Sequence, residues 1–349
     1  MTDDSRLDLT VFVPGLLGPQ PILSQLSSAD LPDFTSLEKA LSRADITPDP
    51  IRDAYAGLFQ LFGIEPDSTG DYPAAAICQS VQQLQLDNFC LRADPVHLQA
   101  DMTSAVLRAH QALRLDADEA QQLVESINQH LHQDGLQLVM GQPHHWYLSL
   151  STAPELQTSP LPSLLLQDID PHLPRGNSAA EWRRLMNEVQ MLLYDHPVNQ
   201  QREAEGRLTV NSLWLWGGGH QPEQSSVHWQ QIYTDDWLLD ALARFHDVAS
   251  DDLPESVETL LQDCEGEVLF HIEDCLQPLR EQDPFAWVAA VQQFQALWLQ
   301  PLLAGLQQNR YQRLTLLPAD GKRYQLTRHT LRRWWRRRRP LARWVSDGV

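Results

Sequence analysis

EWRRLMNEVQMLLYDHPVNQQREAEGRLTVNSLWLWGGG, residues 181–219, carries the plainest statement of how this chain folds. Trp182, Leu185, Met186, Val189 and Leu193 fall at 3, 4, 7 and 11 from the first, one apolar face of a helix. His196-Pro197 ends that helix, because the residue before a proline is driven out of the α region. A polar crossover follows, and then Val210 to Trp216 forms a largely apolar strand running into Gly217-Gly218-Gly219. A core strand ending in glycines marks either a flexible turn or a place where an α/β sheet brings backbone close to a ligand.

Outward from this block, strands and helices alternate. Leu7 to Val13 is an apolar strand stopped by Pro14-Gly15, and Leu31 to Leu41 and Tyr55 to Gly63 have helical spacing. Beyond the glycines, Trp229 to Asp247 reads as helix, Gly266 to Ile272 as strand, Pro284 to Leu306 as a long helix and Arg313 to Leu317 as strand. This order implies a largely parallel sheet with helices on its faces. Between these parts the pattern changes. Asn88 to Val96, Leu136 to Met140 and Trp146 to Leu150 read as strands, and Asp116 to His132 as a capped helix. Residues 87–175 are therefore expected to form an inserted α+β cap domain, with 1–86 and 176–349 as a discontinuous α/β core. His144-His145 could suggest a metal pair, but neighbours on a strand face opposite sides.

Composition narrows the classes. The 349 residues are 42% hydrophobic and 21% charged, ordinary for a chain that buries a core. No apolar run is long enough to span a membrane, and the N-terminus lacks the basic start and apolar stretch of a signal peptide. Cys78, Cys90, Cys264 and Cys275 show no metal or disulfide spacing, so a cytoplasmic protein with reduced thiols is expected. The net charge of −20 is unevenly spread: Lys322 to Arg343 carries 10 basic and no acidic residues, leaving 16 basic against 46 acidic elsewhere. The segment Arg332–Arg343, studded with tryptophan, either contacts an anionic partner or packs on the protein's own acidic surface. His271, Glu273 and Asp274 after one late strand, and Asp320 after the next, suggest a divalent-metal or acid/base site, or solvated loop carboxylates.

The blocks HPVNQQREAEG (196–206), VNSLWLWGGG (210–219), NFCLRADPVHLQAD (88–101), FHIED (270–274) and LLPADG (316–321), in this order, resemble one family. It is that of the archaeal-type, cofactor-independent phosphoglycerate mutases of the alkaline phosphatase superfamily, with its bacterial branch of RpfE-type regulatory proteins. The resemblance implies an alkaline phosphatase-like core, two divalent cations at the sheet's carboxyl edge and a serine nucleophile. This chain departs from that pattern. Pro14-Gly15 stands where the family has aspartate-glycine, and PIRDAYA (50–56) holds no serine. His271 and Asp274 match the start of a ligand motif whose Gly-His is missing; Asp320 is followed by Gly321 instead of histidine, and His329 matches the last histidine.

Two functional classes follow. One is a pseudoenzyme acting as a regulatory or binding protein without a cofactor. Asn199, Arg202, Asn211, Gly217, Gly218 and Gly219 would then hold a small phosphorylated or carboxylate metabolite, with arginine gripping the anion. The other is a working phosphatase or mutase with one manganese or zinc ion on His271, Asp274, Asp320 and His329.

Overall fold

The computed structural model describes residues 7–18, 32–84, 86, 89–100, 105–108, 110–164, 168–257 and 265–344. Leu31, Asn88 and Cys264, which figure in the sequence reading, lie outside them. Twelve strands are present among the described residues: β1 (Asp8–Phe12), β2 (Asp45–Pro48), β3 (Phe89–Ala100), β4 (Ala105–Arg108), β5 (Gln137–Gln142), β6 (His145–Leu150), β7 (Ser212–His220), β8 (Trp229–Tyr233), β9 (Ala249–Asp251), β10 (Glu267–His271), β11 (Arg313–Leu317) and β12 (Lys322–Thr327). The fold is mixed α/β, and the chain divides into two compact units, 1–63 with 225–349 and 64–224. The limits therefore fall at 63/64 and 224/225, not at the expected 86/87 and 175/176. The stretches on either side of the expected cap pack with it: Ala74–Val81 and β7 both lie against β3.

The first unit is built on a seven-stranded sheet in the order β2-β12-β11-β1-β10-β8-β9. β11, β1, β10, β8 and β9 run parallel, while β12 is antiparallel to both its neighbours. β1, β10 and β11 are short runs of Val, Leu and Phe buried along nearly their whole length, as a sheet covered on both faces requires. Leu9, Val11, Val268, Phe270, Leu314 and Leu316 pack on Trp287, Val291, Phe294 and Leu302 from the long helical run after Pro284. That run contains a π-turn at Gln295–Leu299, just before Pro301, whose missing N–H cannot continue the regular ladder. Trp229–Tyr233, expected as helix, is strand β8; the helix starts only at Trp237, capped by Asp236, whose Oδ1 accepts from the Leu239 N–H at 2.7 Å.

The second unit holds an antiparallel sheet, β4-β3-β6-β5, with β7 on the other side of β3. Gly217, Gly218 and Gly219 thus lie inside strand β7 rather than after it. Ala117–Leu131 is a helix closed by a reciprocal capping box between Asp116 and Glu119. The crossover after His196 is a second helix, Pro197–Ala204, with proline at its first position and the His196 side chain accepting from the Val198 N–H. Within β3, the Arg92 guanidinium is fully buried and held by Asp94 at 2.6 Å, flanked by Tyr147 and Trp216. Among the described residues no helix is long and apolar enough to cross a membrane.

Candidate functional site

In the first unit, the parallel strands β1, β8, β10 and β11 all end at one edge, which is where an α/β sheet offers ligand-binding groups. After β8 come Thr234, Asp235 and Asp236; after β10, Glu273 and Asp274; after β1, Pro14 and Gly15; after β11, Asp320. β1 lies between β10 and β11, so the two late strands are not neighbours as their sequence suggested.

His271 ends β10, opposite Phe12, and their rings stack at 5.3 Å. It is 2% exposed. Its Nδ1 lies 3.1 Å from Thr234 Oγ1, which accepts the Asp236 N–H at 3.0 Å. Its Nε2 lies 3.7 Å from Glu273 Oε1 and has no hydrogen-bond partner. Burial pushes the imidazole pKa down to about 3, so the ring is neutral at physiological pH. Burial, together with the nearby Asp236 carboxylate, pushes Glu273 up to about 7, although 43% of its side chain is exposed. Burial also raises Asp236, against the N–H groups it accepts, and raises Asp274, with Asp235 adding to the effect. Arg280 supplies the positive charge here. Its pKa is lowered by burial, while Glu273, Asp53 and Asp236 act to keep it charged.

Asp53, in the stretch that holds no serine, and the expected ligands Asp320 and His329 have other partners or places. Asp53 caps the helix Ala54–Gln60, its Oδ1 accepting from the Ala56 N–H at 2.8 Å. Asp320 accepts the Tyr324 hydroxyl at 2.7 Å and the Lys322 N–H at 3.0 Å. His329 follows β12, which runs back along β11 and pairs Thr327 with Arg313, so it sits at the opposite edge of the sheet from His271. The four remnant positions His271, Asp274, Asp320 and His329 are therefore not one cluster. The loop after β1 leaves little space for a further group. The Gly15 carbonyl accepts from Trp287 Nε1 at 2.9 Å, and a Cβ on Gly15 would meet Leu279 at 2.9 Å. Among the described residues no three His, Cys, Asp or Glu side chains are grouped to hold a metal ion. The residues present do not fit the two-cation centre that the resemblance implies.

The ligand-binding set expected in the second unit meets internal partners instead. Asn199 donates to the Leu193 and Val210 carbonyls, each at 2.7 Å, and accepts from the Val210 N–H at 2.9 Å. Asn211 exchanges two hydrogen bonds with the backbone of Leu98, at 2.7 and 2.9 Å. Arg202 is 0% exposed, pairs with Glu119 at 2.6 Å and donates to the Leu208 and Leu113 carbonyls. The glycines allow close packing: a Cβ at Gly217, Gly218 or Gly219 would come within 2.8, 2.6 or 2.7 Å of Ala74, Leu91 or Pro73. Each of these polar groups has partners within the protein, as buried amides and guanidinium groups require.

Sequence reasoning missed Thr234, Asp236 and Arg280. Thr234-Asp235-Asp236 before Trp237-Leu238-Leu239 is a helix-start signal, and weighing it would have separated β8 from its helix.

Comparison with known proteins agrees with the resemblance in part of the chain. Residues 56–199 match the family described as 2,3-bisphosphoglycerate-independent phosphoglycerate mutase. A probable enzyme of that name from Geobacter sulfurreducens is 29% identical over 171 residues, 48% of this chain and 43% of that protein. One from Methanosarcina mazei is 25% identical over 138 residues, 38% and 35% of the two chains. The matches thus span less than half the length of these relatives. Among solved structures, the PH0037 protein from Pyrococcus horikoshii superposes with a TM-score of 0.51 at 15% identity, covering 92% of this chain and 86% of that one, which shows the shared fold. From residue 64 onward the family match lies in the second unit, whereas His271 and the acidic strand ends belong to the first.

Proposed function

We propose that this phosphoglycerate mutase-like chain is a pseudoenzyme, a cytoplasmic binding or regulatory protein that needs no divalent metal. One observation carries the reading. Of the side chains that would make a metal-dependent phosphoryl-transfer centre, Asp320 binds a tyrosine and His329 lies at the far edge of the sheet. The positive charge among Asp53, Asp236 and Glu273 is the guanidinium of Arg280. Phosphoryl transfer needs a positioned nucleophile and cations on the transferring oxygens. The hydroxyl nearest His271 is that of Thr234, 4% exposed and already bonded to His271 and to the Asp236 N–H.

His271 Nε2, unpartnered and 3.7 Å from Glu273, favours a second reading: a reduced hydrolase whose single metal is held in part by this pair. An assay separates the two. Full-length protein is given 3-phosphoglycerate or an aryl phosphate with manganese or magnesium. The pseudoenzyme reading expects no turnover above background. Turnover that is lost in both His271→Ala and Glu273→Gln establishes the hydrolase instead.

A further inference from the structure

We propose that the segment Arg332–Trp344 of the first unit forms a binding surface for single-stranded nucleic acid. The segment is docked, not free. Arg333 pairs with Asp45 and Arg338 with Glu38, and Arg336 donates to the Ala44 carbonyl at 2.7 Å. The Arg339 N–H donates to Ser42 Oγ at 3.0 Å, and the Leu341 N–H to Glu38 Oε1 at 2.7 Å. Leu341 and Trp344 are buried in the unit's core. The expectation that the basic run packs on its own acidic surface therefore accounts for about half of its arginines.

The remainder is what a partner would meet. Arg332, Arg337 and Arg343 are exposed and make no ion pair among the described residues. Arg336 to Arg339 and Arg343 rim a groove of about 850 Å³, with Ala44, Ile46, Pro340 and Trp344 among its apolar lining. Beside it, Trp334 and Trp335 are 81% and 60% exposed, their rings edge to face at 6.2 Å. Free guanidinium groups next to two open indoles match a ligand that presents phosphates and unstacked aromatic faces together. A duplex hides its base faces, and an acidic peptide leaves the indoles unused. The strongly acidic remainder of the chain restricts a polyanion to this patch, so the bound length is short.

The test is fluorescence anisotropy of a labelled oligouridylate of about 12 nucleotides with the full chain, with tryptophan quenching read in parallel. The proposal expects saturable binding with quenching. Three free guanidinium groups give a slope of log affinity on log salt near about −2, or roughly a 20-fold loss between about 50 and 200 mM salt. Trp334→Ala with Trp335→Ala weakens binding at least about fivefold, as does Arg337→Glu with Arg343→Glu, while circular dichroism and thermal midpoints stay unchanged. Absence of saturable binding, unchanged affinity in the tryptophan variant, or equal or tighter binding of a duplex or of polyglutamate overturns it. Nothing in this proposal depends on whether the strand-end site is catalytic.

Discussion

Asp71 sits in the second unit with only 7% of its surface exposed, and its carboxylate accepts from the backbone N–H of Thr158 at 3.1 Å and from the Thr158 hydroxyl. That hydroxyl also accepts the Gly217 N–H at 3.2 Å, so one carboxyl anchors a loop and a glycine of β7 together. Burial pushes Asp71 up to about 6, with the Thr158 hydrogen bonds opposing the rise and Asp67 adding to it. The consequence has a definite sign. Between the usual 3.8 and about 6 the folded chain keeps a proton that the unfolded chain has released, so stability falls as pH rises through that window. The loss is on the order of 3 kcal/mol. Asp71→Asn removes it: urea midpoints measured from pH 4 to 7 should show the variant gaining on the native protein as pH rises, and a constant difference contradicts this. His271 has the opposite linkage. Its folded pKa is depressed to about 3, so its contribution is present above about 6.5 and is lost as pH falls below it.

At the scale of elements, the glycines of β7 show what a sequence discloses and what it hides. Gly217 has φ +64°, and a Cβ there would lie 2.8 Å from Ala74 Cβ on the helix Ala74–Val81. Gly217→Ala therefore combines a left-handed backbone with a steric clash, and we expect a loss of about 1–3 kcal/mol, read from denaturant midpoints. An unchanged midpoint contradicts the packing argument. That these glycines matter is legible in the run Gly217-Gly218-Gly219; that they let a helix pack on an antiparallel strand is not, because close approach looks the same in sequence whichever group approaches. β1, β10 and β11 were legible because a strand buried on both faces is written as an unbroken apolar run. β8 was not: its Gln230 and Gln231 interrupt that run, and the apolar helix that follows extends its period backwards over the strand. Pro197–Ala204 was missed for the converse reason, being a short polar helix whose stability comes from its proline start and from the buried Asn199 and Arg202.

For the whole molecule, the departures at Pro14, PIRDAYA, Gly321 and the segment after Asp274 could be read directly from the sequence. Where the surviving donors went could not, since that depends on strand order: β1 separates β10 from β11, and β12 carries His329 to the other edge. The matched family stretch falls largely within one unit, and the altered strand ends fall in the other. The most direct test is the metal content of untagged full-length protein by elemental analysis after equilibration with manganese and zinc. The account predicts less than about 0.1 metal ion per chain, since Arg280 supplies the positive charge at the strand ends and no three His, Cys, Asp or Glu side chains among the described residues are grouped to hold a cation. One or two ions per chain, lost in His271→Ala, would contradict it.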